Sequence, residues 1–146
     1  HEDEEFTPQL MLRAENLYFT NNKAYYYRKR EGSIMHKRDK RWHIRRLSDA
    51  EQVLYRLKER VDYLPVKERI AMERRIAQLT MDHIYNVITM THDETHLNHV
   101  LQRLSRHGLF PLPDKDYTSK YKWFRRMTNS SFGRKTLIML LRLNKG

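Results

Sequence analysis

Apolar side chains return every three to four positions between residues 50 and 104, and nothing else constrains the fold of this chain as strongly. Ala50, Val53, Leu54, Leu57, Val61 and Leu64 form one such stripe. Ile70, Ala77, Ile84, Val87 and Ile88 form a second, and Leu97, Val100, Leu101 and Leu104 a third. A 3.6-residue period buries one face of a helix and suits no strand. The breaks between stripes carry stop and start chemistry. Pro65 ends the first helix and stands just before the second. Ser48 with Glu51, and Thr91 with Glu94, have capping-box spacing. Gly108 closes the third helix. Beyond the proline-broken connector "LFPLPD", two more helices are expected at about residues 118–128 and 131–144. Gly and Pro number only four each in 146 residues, which also favours long elements.

The first residues read differently. "HEDEEF" is an acidic block, expected as a loop entering a short helix at Thr7-Pro8, with Phe6, Leu10 and Ala14 on one face. Residues 17–20 and 24–28 are rich in aromatics and read as two short strands about an Asn21-Asn22 turn. The expected architecture is therefore α+β and mostly helical. A short helix and two strands precede a bundle of about four to five helices that packs on itself and offers a homodimer surface.

The charge pattern narrows the partners. Net charge is +11, which draws the chain to anions such as nucleic acid, acidic lipid headgroups or phosphorylated small molecules. The chain has no cysteine, which excludes disulfides and thiolate metal sites. No apolar run is long enough for a membrane-spanning helix. From Lys23 to Arg46 ten basic residues stand against Glu31 and Asp39. They follow Tyr25, Tyr26 and Tyr27, and Trp42 lies among them, so bases could stack there. No recognised nucleic-acid motif accompanies them, which sets nucleic acid below the other anions as a partner. Residues 119–145 hold eight Lys or Arg and no acid, with Leu137, Ile138, Leu140 and Leu141 interleaved. A basic amphipathic helix of that kind can lie on an anionic membrane surface.

Two motifs stand in order near the start. The Glu2-Asp3 pair is followed by Phe6 and a leucine-rich segment, and "YYYRKREGSI" follows at 25–34. Together they resemble the C-terminal part of the nucleotide-sugar-binding catalytic domain of glycosyltransferase family 2, which has the GT-A α/β fold. The resemblance covers roughly the first 36 residues. It implies a division into 1–36, the end of a GT-A catalytic domain, and 37–146, a helical extension. It implies an inverting enzyme that uses a nucleotide-sugar donor and a glycan or lipid-linked acceptor. Such an enzyme is expected in the cytoplasm, peripheral at the inner face of the cell membrane. Asp3 would be the base that deprotonates the acceptor hydroxyl, with Glu2 its motif partner. Tyr27 would stand on the acceptor side. Arg28, Arg30 and Ser33 would close over the diphosphate, where guanidinium forks stabilise developing negative charge. Gly32 would permit the bend. A divalent cation, Mg or Mn, is expected in the intact enzyme.

The family's Asp-x-Asp motif belongs far upstream of the Glu-Asp pair, and this chain does not contain it there. Asp114-Lys115-Asp116 has the letters but lies downstream, after two prolines. The chain is therefore expected to be a C-terminal fragment, inactive alone, that begins at His1 inside a larger protein. His92, His96 and His99 share a helical face, yet "HDETH" places its Glu one position too late for a zinc-protease motif. Two other function classes stay open: a basic helical nucleic-acid-binding module, and a non-enzymatic membrane-surface or interaction module.

Overall fold

The computed structural model describes residues 2–23, 25–26 and 40–143. Among them the regular structure is helical throughout: α1 Glu2–Arg13, α2 Lys40–Val61, α3 Val66–Thr91, α4 Glu94–Arg106, α5 Ser119–Asn129 and α6 Ser131–Leu143.

The α+β expectation is overturned. No strand occurs among the described residues. Residues 17–20 are irregular, with Tyr18 91% and Phe19 97% exposed. Tyr25 and Tyr26 are also exposed. Strand propensity measures the fit of a side chain to neighbouring strands, and the exposed Leu17, Tyr18 and Phe19 have no covering layer; of the second expected strand, residues 24, 27 and 28 lie outside the described residues. The helix expected at Thr7-Pro8 instead starts at Glu2 and carries Pro8 inside it. Phe6 and Leu10 remain exposed.

The helical expectations fare better. α2 and α3 meet across a turn at Asp62, Tyr63, Leu64 and Pro65. Pro65 precedes the first residue of α3. α3 runs 26 residues and contacts α2, α4, α5 and α6, so it is the spine of the core. Its buried side includes Met72, Ile76, Ala77, Ile84, Val87 and Ile88. Ile70 was expected on that side but is 59% exposed. The core continues through Leu54, Leu57 and Val61 of α2 and Leu97, Val100 and Leu104 of α4. Thr80 is fully buried, and its hydroxyl donates to the Ile76 carbonyl at 2.8 Å, which removes the cost of burying it.

The helix ends explain themselves locally. α3 stops at His92, whose φ of 49° is left-handed and whose N–H returns to the Ile88 carbonyl. The Thr91/Glu94 capping box does not form. Thr91 is the last residue of α3 and donates its hydroxyl to the Val87 carbonyl. Asp93 takes the cap and accepts from the N–H groups of Thr95 at 2.8 Å and His96 at 3.1 Å. Ser48 likewise lies inside α2, so its capping box is absent too. α4 ends as expected at Gly108, with φ of 66°. The Gly108 N–H bonds the Ser105 carbonyl and the Leu109 N–H bonds the Leu104 carbonyl, a pairing that turns the chain and buries Leu109.

α5 and α6 form a tight corner at Ser130. Asn129 fastens α5 to the connector by bonding both the N–H and the carbonyl of Leu112 at 2.9 Å. Arg134 donates from Nη1 to the Thr128 carbonyl at 2.9 Å, which satisfies a free acceptor at the end of α5. Gly133 makes the corner possible: a Cβ built there would lie 2.2 Å from the Met127 carbonyl oxygen. Backbone cannot retreat as a flexible side chain can. Gly133→Ala should therefore destabilise the fold by about 1–3 kcal/mol, read as a lower urea midpoint. An unchanged midpoint would mean that the corner reshapes freely.

Candidate functional site

α1 is held against the other helices by polar ties. The Arg56 guanidinium of α2 grips Glu5 with both arms, Nε to Oε1 at 3.0 Å and Nη2 to Oε2 at 2.7 Å. That grip, with its charge, holds the Glu5 carboxyl below the usual range against a smaller effect of burial. Arg60 donates from Nη1 to Gln9 Oε1 at 2.7 Å. On the other side α1 faces α3 across a shallow hollow of about 340 Å³, lined by Asp3, Thr7 and Met11 on one wall and Ala71, Met72 and Arg75 on the other.

Asp3 thus sits on the first turn of α1, exposed, and lines a hollow to which Arg75 of α3 also contributes. The partial positive charge of a helix N-terminus favours a carboxylate there. A carboxylate facing open space can accept a proton from a hydroxyl. Glu2 opens the same helix. Tyr27, Arg28, Arg30 and Ser33, with Gly32, lie outside the described residues.

Among the described residues no three His, Asp or Glu side chains converge as ligands for a metal ion. The three residues of the Asp-x-Asp lookalike are each engaged elsewhere. Asp114 pairs with Arg125 at 2.9 Å, Lys115 with Glu73 at 2.7 Å, and Asp116 with Lys122 at 3.6 Å. His92 ends α3, while His96 and His99 lie on α4.

A second polar centre lies in the core, around a residue that local spacing assigns to a helix cap. Glu51 was expected as a capping partner and is instead 5% exposed between α2, α3 and α4. Arg103 binds it through Nε at 2.7 Å and Nη2 at 2.9 Å. The Tyr55 hydroxyl donates to the same carboxylate, and Tyr55 stacks on His107 with ring centroids 3.7 Å apart. Nε2 of the buried His83 lies 3.6 Å from Glu51, a close polar approach rather than a formed hydrogen bond. Burial alone would raise the Glu51 carboxyl; His83, Arg103 and Tyr55 outweigh it and hold the group well below the usual carboxylate range. Burial, then the Glu51 carboxylate, push the Tyr55 phenol up. One signal did exist: Glu51 stands on the apolar stripe between Leu47 and Leu54, where a charge requires a partner. Glu51, Tyr55 and His83 are buried while Arg103 and His107 reach the surface, so the cluster ties α2, α3 and α4 together from the inside outward.

No protein-family model, no curated protein and no solved structure matches this chain.

Proposed function

We propose that this chain is the C-terminal portion of an inverting glycosyltransferase. The intact enzyme moves a sugar from a nucleotide-sugar donor to a hydroxyl of a glycan or lipid-linked acceptor. The observation that carries the reading is the Glu2-Asp3 pair followed by "YYYRKREGSI" at 25–34. Asp3 takes the proton from the acceptor hydroxyl as its oxygen attacks the anomeric carbon and the nucleoside diphosphate departs. Glu2 is the motif partner of Asp3, and Tyr27 stands on the acceptor side. Arg28, Arg30 and Ser33 serve the diphosphate, where positive charge lowers the energy of the departing anion.

The position of Asp3 supports this reading. It is exposed at the rim of a hollow, whereas Glu5, two residues on, is consumed by Arg56. A divalent cation would neutralise diphosphate charge. Among the described residues no three His, Asp or Glu side chains converge to hold it. The test is sugar transfer by a protein that joins a nucleotide-binding domain ahead of His1, compared with its Asp3→Asn form. Equal rates would remove Asp3 from the role.

A further inference from the structure

α6 is apolar on two sides. Leu137 and Ile138 point into the core. Phe132, Met139 and Leu140 do not: they are 79%, 63% and 43% exposed. With Thr136 they occupy one outward stripe, since positions 132, 136, 139 and 140 share a helical face. Leu140 also rims a cavity of about 430 Å³ between α3, α5 and α6, and the opposite rim is Trp123, 49% exposed, with Lys120 beside it. The apolar surface therefore runs continuously from α5 onto the outer side of α6.

Cations frame this surface. The nearby acids Asp114 and Asp116 are taken by Arg125 and Lys122. Lys120, Arg126 and Lys135 are left exposed, and Arg142 is exposed as well while its guanidinium bonds the His92 carbonyl. Glu94, at the start of α4, shares a hollow with Lys135, Met139 and Arg142 at the far edge. Asp82, in the cavity wall, accepts from the Tyr121 hydroxyl at 3.0 Å.

We infer that the α5–α6 face docks on an anionic lipid bilayer, with Trp123, Phe132, Met139 and Leu140 entering the headgroup–acyl boundary and the lysines and arginines lying among lipid phosphates. Charge complementarity selects this occupant. A second copy of the chain meeting the same face about a twofold axis would set Lys120, Arg126 and Lys135 against their own like charges. A polynucleotide would satisfy the cations but leave the three aliphatic and aromatic side chains of α6 without gain. A bilayer surface satisfies both: Phe132, Met139 and Leu140 are apolar throughout and can enter the acyl boundary, while Trp123 and the lysines and arginines each have an apolar body and a polar or charged tip. No described helix is long and apolar enough to cross a membrane, so the contact is a surface one. These observations are independent of the proposed sugar transfer.

Flotation with vesicles of phosphatidylcholine alone, and of equal parts phosphatidylcholine and phosphatidylglycerol, tests the inference. The chain should float only with the mixed vesicles, and less so as salt rises. Brominated acyl chains should quench tryptophan emission, and Trp123→Phe should abolish that quenching while Trp42 still reports. Phe132→Ser combined with Met139→Ser removes two exposed side chains that do not support the core. It should weaken vesicle affinity by about tenfold or more without changing helicity. Equal flotation with both vesicle types, or with neither, overturns the inference. So does vesicle binding that ignores the double variant. A dimer that dissociates in the double variant, with no flotation by the parent, would give this face to a second copy. Retention of RNA that ignores the double variant, again without flotation, would give the cations to nucleic acid.

Discussion

Glu51→Ala should lower the unfolding free energy by about 3 kcal/mol, measured by urea titration near neutral pH. The size follows from what is left behind. Truncating one member of a buried ion pair costs most when the other charge stays buried. Here Arg103 is 45% exposed on its side chain, so water takes over part of its solvation. The Tyr55 hydroxyl is not rescued that way, since Tyr55 is buried. Glu51→Gln keeps the volume and one acceptor and should cost less. A double-mutant cycle with Arg103→Met isolates the pair, and a coupling near zero would reduce Glu51 to a packing residue. The pH dependence has a definite sign. The folded carboxyl lies below its unfolded value, so its stabilisation is complete above about pH 4.3. It is lost as pH falls from there toward the folded value. Glu5, Glu73 and Asp93 are shifted the same way, so the parent will weaken in acid for several reasons. The specific result is the difference: the gap between parent and Glu51→Gln should narrow as pH drops below that point.

In an enzyme that includes this chain, Asp3→Asn should reduce sugar transfer by about a thousandfold. Donor affinity should change little, because the loss falls on proton removal from the acceptor. Stability should hardly move, since Asp3 is exposed and lies two residues from the anchoring Glu5–Arg56 pair. That separation of rate from stability distinguishes a base from a helix-terminal charge, whose removal would change stability slightly and the rate not at all. Glu2→Gln should have a smaller effect on rate than Asp3→Asn. A thousandfold loss from Glu2→Gln with full activity in Asp3→Asn would reverse the two roles.

Helix identity was legible wherever an apolar stripe met strong punctuation. Pro65 and Gly108 act through backbone geometry alone, so their effects need no knowledge of the rest of the fold. The same holds for the two C-terminal helices, expected at 118–128 and 131–144 and found at Ser119–Asn129 and Ser131–Leu143. Capping boxes were less reliable, because Ser, Thr and Glu at that spacing also occur inside helices. Asp93 outcompetes Thr91 as a cap, and Glu51 is drawn inward by Arg103, a partner 52 positions away that no local pattern reveals. The aromatic runs misled for a related reason: a strand is defined by its neighbours, and Tyr18 and Phe19 have none here. Asp3 was singled out through its motif alone, and the hollow it lines together with Arg75 depends on where α1 lies beside α3, which no local pattern reveals.

Every other helix of the bundle except α1 leans substantially on α3, while α5 and α6 lean mostly on each other. Local opening should therefore follow a hierarchy. The terminal hairpin can detach as one cooperative unit when Leu137 and Ile138 leave the core and the Asn129, Tyr121 and Arg142 ties break together, whereas middle-of-α3 amides exchange with deuterium only when the whole molecule melts. A load applied through the last helix would thus be absorbed by that hairpin long before it reached the interior.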